Sequence, residues 1–472
     1  MRKLIIYLTT LALPFLLLVN HSSAQGYRIE ARIQGLADTS LILSYRYGSK
    51  FYSLDTAKTD NSGYAVFEDT SRIDRGMYQL ILPDKSFIDF FIDGSREISI
   101  KTHTASLVES LTSSNSEINQ VFFEWQAANQ KLRMEATRIE KELKTAQPGS
   151  KDYNELQDEL TSLRKTNHTL WNEAISKLDG SLPGKFLMGM RPTEVPQEVY
   201  KGPDGNIDQV AQYEYYKKHF FDDVDWSEGA LLRTPLIYSK LDQFFKRVVP
   251  GIPDSAKVYV DKVIEKAAVN REMFRFVVQH VLNYYSEPEI MGMDAVYVHI
   301  AEKYYLSGKA DWINENNLRE IEHRVNAVKP LLLGNDSPVL PGLETPEGEI
   351  IDHRDIKADF LVLYFWEPDC GFCKTATPNL FRIYMDYREK GVEILAVNTR
   401  IDKEPWEKFI AEHELTWTNV YAPSTVRTVL SNYDAYSTPK VFILDSEKKI
   451  VAKDISVAQV PQVLDHFLRS MK

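Results

Sequence analysis

Cysteine is almost missing from this chain: two residues in 472. A surplus of positive charge is missing too, since the formal net charge is −11, which argues against nucleic acid, whose binding relies on basic patches. Beyond the N-terminus no run is long and apolar enough to cross a bilayer. None of the ten histidines has a second one four residues on, and no glycine-rich phosphate loop occurs, so zinc-hydrolase and nucleotide-binding readings find no carrier. Internal repeats and low-complexity tracts are not evident either.

What is present begins with a leader. Arg2 and Lys3 precede an apolar stretch over 4–19, then Ser22, Ser23 and Ala24. A basic start, a short apolar core and small residues predict a signal peptide over 1–24, cleaved after Ala24. The alternative is an uncleaved inner-membrane anchor; either way the remainder is expected in the periplasm. With no cysteine near the cleavage site, lipidation there is excluded. Export gives the two cysteines meaning, because disulfides form and persist outside the cytosol. Cys370 and Cys373 form a Cys-x-x-Cys pair. As a staple, so short a loop would stabilise by roughly 2 kcal/mol, against ~4.7 kcal/mol for a loop of 100 residues. As a zinc site the pair supplies half a tetrahedron, with no second pair nearby. Redox chemistry suits the spacing better than either, both of which remain as alternatives.

The flanks sharpen that reading. Residues 360–365, FLVLYF, form a continuous apolar run of strand length, as in a strand buried on both faces. From Lys374 onward Leu380, Ile383, Tyr384 and Tyr387 recur at helical spacing, and Gly391 ends the helix. The cysteines therefore fall at a strand-to-helix turn. Cys370 lies near the helix N-terminus, where free backbone N–H groups and the helix dipole favour a thiolate. Cys373, one turn on, faces inward and can attack a mixed disulfide formed by Cys370.

Trp366 lies four residues before Cys370, Pro378 five after Cys373, and Ser437-Thr438-Pro439 stands before an apolar strand at 440–444, KVFIL. With the lead-in GLETPEGEIIDHRDIKADFLVLYF, these residues make 334–472 resemble the thioredoxin superfamily, and within it the exported TlpA/ResA-like branch. The resemblance implies a thioredoxin fold and catalysis by Cys370 and Cys373, whose reversible disulfide needs no added cofactor. It also implies a cis peptide at Pro439 beside the cysteines, with Trp366, Thr438 and Pro439 binding substrate. Two positions depart from the pattern. Tyr364 stands where thioredoxins keep a buried acid, and Ala376 where the ResA-like branch has a glutamate. Glu367, Asp369 or a water is left as proton acceptor; Glu367 and Asp369 read more simply as solvated acids, and both would oppose a nearby thiolate that Lys374 would favour. Gly371-Phe372 between the cysteines leaves the redox potential open. A peroxiredoxin would have threonine three residues before its reactive cysteine, where Glu367 stands here.

The rest of the chain reads as two further regions, giving a multidomain protein with a small all-β domain, an α-helical middle domain and a C-terminal α/β thioredoxin fold. Residues 25–110 alternate apolar and polar in short runs at 27–33, 41–47, 78–82 and 98–101, which predicts a small antiparallel β domain, read as a sandwich. Such β modules on envelope thioredoxins suggest docking or spacing. Residues 111–332 predict helices over 116–146, 152–178, 208–219, 236–248, 255–285, 294–306 and 316–328, the first two forming a hairpin across Gln147-Pro148-Gly149-Ser150. Their charged faces read as solvated surface and their aromatics as core. The stretch FDDVDWSEG hints at calcium, but its glycine falls at the seventh loop position and Thr234 at the twelfth. A capped helix start before Leu231 reads better. Within 333–472 a strand is expected at 392–398, helices at 403–413, 424–431 and 457–470, and a polar turn at 446–449.

The expected function is a periplasmic thiol-disulfide oxidoreductase, reductant more than oxidant. It would act on disulfides or dithiols of envelope proteins, with a membrane thiol reductase as electron donor. The alternative is a ligand- or partner-binding envelope protein whose thioredoxin end senses redox state or is vestigial.

Overall fold

In a computed structural model, residues 26–470 are described apart from 197, 198, 200, 203 and 204. The expected signal peptide and its cleavage site lie outside the described residues. The chain divides into two compact units that meet between Asp242 and Gln243.

In the first unit eight strands, β1 (Tyr27–Gln34), β2 (Ser40–Tyr47), β3 (Lys50–Lys58), β4 (Tyr64–Asp69), β5 (Gly76–Ile81), β6 (Phe87–Ile92), β7 (Glu97–His103) and β8 (Thr112–Ser113), form two four-stranded sheets. Their orders are β4-β1-β7-β8 and β3-β2-β5-β6. Alternation does its expected work in β1, where Ile29, Ala31 and Ile33 are fully buried and the residues between them are not. One pairing departs from the antiparallel expectation: β1 and β7 run parallel. Alternation fixes the buried face of a strand but carries no information about its partner's direction. Helices α1 (Glu117–Leu143) and α2 (Lys151–Lys177) form the expected hairpin, and α3 (Leu182–Met190) follows, capped by Ser181 and opened by Pro183. Beyond α4 (Gln209–His219) the acids of FDDVDWSEG are engaged by the protein itself. Asp222 meets His219, Asp223 meets Arg191 and Asp225 meets Lys185. Glu228 caps a 3-10 turn, Gly229–Arg233, where a helix start was expected. The segment ends in α5 (Leu236–Gln243).

The second unit begins with helical elements: α6 (Pro253–Ala267), α7 (Arg271–Tyr284), α8 (Asp294–Ile300) and α9 (Glu315–Val328). The single helix expected over 255–285 is thus two. Asn270 breaks it, its side-chain oxygen accepting the N–H groups of Glu272 and Met273 at 3.0 and 3.1 Å. Apolar spacing continues on both sides of the break, so periodicity alone reads through it.

A seven-stranded sheet follows, ordered β10-β9-β13-β12-β11-β14-β15. Its strands are β9 (Leu343–Glu344), β10 (Ile350–Ile351), β11 (Phe360–Trp366), β12 (Val392–Asn398), β13 (Thr418–Tyr421), β14 (Lys440–Asp445) and β15 (Ile450–Lys453). Around it lie α10 (Gly371–Tyr387), α11 (Lys403–Glu412), α12 (Val426–Tyr433) and α13 (Val460–Ser470). The central β11 pairs parallel with β12 and antiparallel with β14. All of β11 is buried, Val362, Tyr364 and Trp366 in one core cluster and Leu361, Leu363 and Phe365 in the other. Covering both faces of a central strand explains its unbroken apolar run. Each such side chain contributes about 1.5–3 kcal/mol by burial, so the strand that leads to the cysteines is firmly anchored.

One buried titratable group near β10 yields a pH prediction. His353 is fully buried with Nε2 2.9 Å from Ser337 Oγ, and burial pushes its pKa from 6.5 down to about 4, against the opposing pull of Asp352. The unfolded chain takes up this proton near pH 6.5 while the folded chain resists it to about 4. Stability is therefore complete above that upper value and falls as the pH drops towards the lower one, by up to roughly 3 kcal/mol. Thermal melts across this window should drop more steeply for wild type than for His353→Gln. Parallel curves would remove His353 as the cause.

Candidate redox site

β11 ends at Trp366 and α10 starts at Gly371, so the loop between them carries Cys370 to the helix N-cap. Cys370 has extended backbone, φ −68° and ψ 121°, and its sulfur accepts the Cys373 N–H at 3.3 Å. Its thiol also points at the Thr438 carbonyl oxygen, 3.4 Å away. Thr438 and Pro439 are joined by a cis peptide bond, as expected from the resemblance. Both cysteines are free thiols, Cys370 half-buried and Cys373 fully buried.

The two sulfurs sit in opposite electrostatic settings. Burial pushes the Cys370 thiol up, but hydrogen bonds from the Cys373 side chain and backbone, from Thr438 and from the Phe372 N–H outweigh it, and its pKa is lowered from 9.0. For Cys373 burial dominates and pushes the pKa up to about 12, although the Glu367 backbone N–H favours its thiolate. The half-exposed sulfur is thus the more acidic one.

The remaining expected residues divide. Thr438 and Pro439 stand at the cysteines. Trp366 does not reach the surface: it is fully buried, stacked near Tyr364 with ring centres 6.3 Å apart and packed on Phe409 at 5.1 Å. Strand β11 places every one of its side chains in a core, so Trp366 supports the site from within and cannot touch a substrate. Glu367 is not a plain solvated acid. Its carboxylate is gripped by the Arg400 guanidinium and accepts the Thr438 hydroxyl at 3.4 Å, leaving the side chain 16% exposed. Asp369 and Lys374 are exposed. Ala376 packs against the core cluster and brings no acid. Two residues that sequence reasoning missed belong here: Arg400, and Thr377, whose hydroxyl lies 2.8 Å from that of Tyr364. Thr377 falls four residues after Cys373, hence on the same helix face, and that spacing could have found it. Arg400 meets Glu367 from 33 residues away, for which no local pattern exists.

A groove of about 820 Å³ opens beside the pair, lined among others by Phe372, Ala376, Ile383, Pro439, Val441 and Ile455. Phe372, between the cysteines, is 82% exposed. Among the described residues no group of three or more His, Cys, Asp or Glu could hold a metal.

Comparison with known proteins agrees with this geometry. A family described as thioredoxin-like matches residues 358–450, and a domain of unknown function, DUF5106, matches residues 164–329. The thiol-disulfide oxidoreductase ResA of Geobacillus thermodenitrificans is 33% identical over 142 residues, which cover 30% of this chain and 78% of that protein. ResA of Bacillus subtilis is 32% identical over 118 residues, 25% of this chain and 64% of that protein. Among solved structures, a thiol:disulfide interchange protein from a Bacteroides species is 28% identical, covers 29% of this chain and 90% of its own, and has a TM-score of 0.28.

Proposed function

Because the chain belongs, through its thioredoxin-like C-terminal domain, to the ResA-type thiol-disulfide oxidoreductases, we propose that it exchanges dithiols and disulfides on envelope proteins, mainly as a reductant. The observation that carries this is the asymmetry of the pair. Cys370, at the helix start with its thiol lowered, attacks the partner disulfide, and one partner sulfur leaves as a thiol. The other stays bound to Cys370 until buried Cys373 attacks, releasing it and closing the Cys370–Cys373 disulfide. Each turnover passes two electrons from the pair to the partner, and a membrane thiol reductase returns them. Thr438 and Pro439 hold the partner's extended chain, whose apolar side chains rest in the groove beside Phe372. Glu367, held by Arg400, fixes the Thr438 hydroxyl.

The reducing direction is supported by the balance at the sulfurs. Strong oxidants owe their potential to a stabilised reduced form. Here Cys370 is lowered, which favours the reduced form, but burial drives Cys373 up to about 12 and opposes the second thiolate of the reduced pair. Placement in the periplasm is supported by Arg2, Lys3, the apolar 4–19 and Ala24. The test is the reduction potential of the pair, read by alkylation across glutathione buffers. We expect a value near the roughly −270 mV of thioredoxin; one near roughly −120 mV would reverse the direction. A pair that never exchanges would return the chain to the binding-protein reading.

A further inference from the structure

The resolving step asks the less acidic sulfur to become a nucleophile, and the groups around Cys373 are few. From its own helix comes Cys370, one turn back. The loop after β11 brings Glu367, whose carboxylate is occupied by Arg400 and the Thr438 hydroxyl and whose backbone N–H faces the sulfur. The cis-proline loop brings Thr438, which does not titrate. Val457, Val460 and Leu464, from the closing turn and α13, share its core cluster and carry no titratable group. From β11 comes Tyr364, fully buried, two residues before Trp366 and on the same face of the sheet. Its hydroxyl lies 2.8 Å from Thr377 Oγ1, which is also fully buried, and it interacts with the Cys373 thiol.

Thr377, one helical turn beyond Cys373 on the same helix face, fixes the phenol, and the Cys373 thiol is among the groups that act on it. Burial pushes the Tyr364 pKa up, so the phenol keeps its proton at any physiological pH. It can donate a hydrogen bond but cannot act as a base.

We propose that Tyr364, oriented by Thr377, donates its hydroxyl hydrogen bond to the Cys373 sulfur as that sulfur loses its proton and attacks the mixed disulfide. The inference rests on the exchange mechanism given above. In the step, the bond between Cys370 and the partner sulfur breaks and the Cys370–Cys373 bond forms. Cys370 and Cys373 are together oxidised by two electrons, the partner is reduced, and the Cys373 proton passes through solvent to the departing sulfur. Tyr364 ends the step unchanged. Tyr364 is thus a catalytic residue and Thr377 a positioning residue.

Ellman's reagent separates the two steps in the full chain, because one thionitrobenzoate leaves when Cys370 attacks and the second when Cys373 resolves. Tyr364→Phe should leave the first release unchanged and slow the second by roughly 10- to 100-fold, the range of a hydrogen bond to a charged group. Thr377→Val should slow the second release less, and Thr377→Ser, which keeps the hydroxyl, should restore it. In wild type the second rate should climb about tenfold per pH unit through neutrality, since no carboxylate titrates in the step. A second release in Tyr364→Phe at the wild-type rate, or a plateau in the wild-type profile near neutral pH, overturns the proposal. If Tyr364→Phe does not fold, the Thr377 pair decides: equal rates for valine and serine overturn it. A wild type that never gives a second release would instead remove the exchange mechanism itself, and this inference with it.

Discussion

Cys373→Ser should turn a catalyst into a trap, accumulating one partner per chain as a disulfide at Cys370, while Cys370→Ser should exchange no faster than the uncatalysed control. Burial pushes Cys373 up to about 12 while Cys370 is lowered, so the Cys373 thiolate is much the rarer at neutral pH. The nucleophilicity gained per thiolate, with a Brønsted slope of only about 0.4–0.5, does not make up for that rarity. The first attack thus favours Cys370 before access is considered. Access points the same way, since Cys373 is fully buried and Cys370 is not. Once the mixed disulfide exists the comparison changes, because Cys373 is held one helical turn from the bond it must break and high effective concentration compensates for a rare thiolate. Removing Cys373 takes away only this second event. The check is a non-reducing gel of chain mixed with a disulfide-bonded protein: a reducible complex with Cys373→Ser and none with Cys370→Ser. Wild-type exchange by Cys370→Ser would overturn the assignment of the nucleophile.

How much of this was legible in the sequence depended on the range of the interaction. β11, β12 and α10 could be read because a strand buried on both faces and an amphipathic helix each leave a local pattern, and the Cys-x-x-Cys pair sits between them. The helix N-cap position of Cys370 followed from the same two patterns. β13 was not read, since Thr418–Tyr421 has only four residues and no alternation to show. The substrate-binding reading of Trp366 does not hold because its distance from Cys370 gives sequence spacing, not whether its ring reaches the surface or the core. Glu367 was read as solvated for a related reason: its partners Arg400 and Thr438 come from loops after β12 and before β14, and only folding brings them together. The resemblance carried the cis peptide at Pro439, which no local pattern in this chain would have indicated.

The first unit offers a test of comparable size on stability. β6 is an edge strand of its sheet, so Phe91 has a backbone N–H and C=O with no neighbouring strand to pair them. Asn119, near the start of α1 and fully buried, supplies the pair. Its side-chain oxygen accepts the Phe91 N–H at 2.7 Å, and its amide donates to the Phe91 oxygen at 2.9 Å and to Ser116 Oγ at 2.9 Å. One side chain thus copies the two-bond pattern of a paired strand and fixes α1 against the sheet, where Phe122 meets Phe91 edge-on at 4.9 Å. Asn119→Ala leaves both Phe91 groups buried and unmet, at about 1–3 kcal/mol each, so roughly 2–6 kcal/mol should be lost. Asn119→Asp separates the two bonds. A carboxylate can accept from the N–H but cannot donate to the oxygen, so this variant should be destabilised at neutral pH and recover part of the loss once acid protonates it. Urea unfolding together with hydrogen exchange at β6 reads both. An alanine variant with the wild-type midpoint and unchanged protection at Phe91 would show that α1 is held by its aromatic contacts alone.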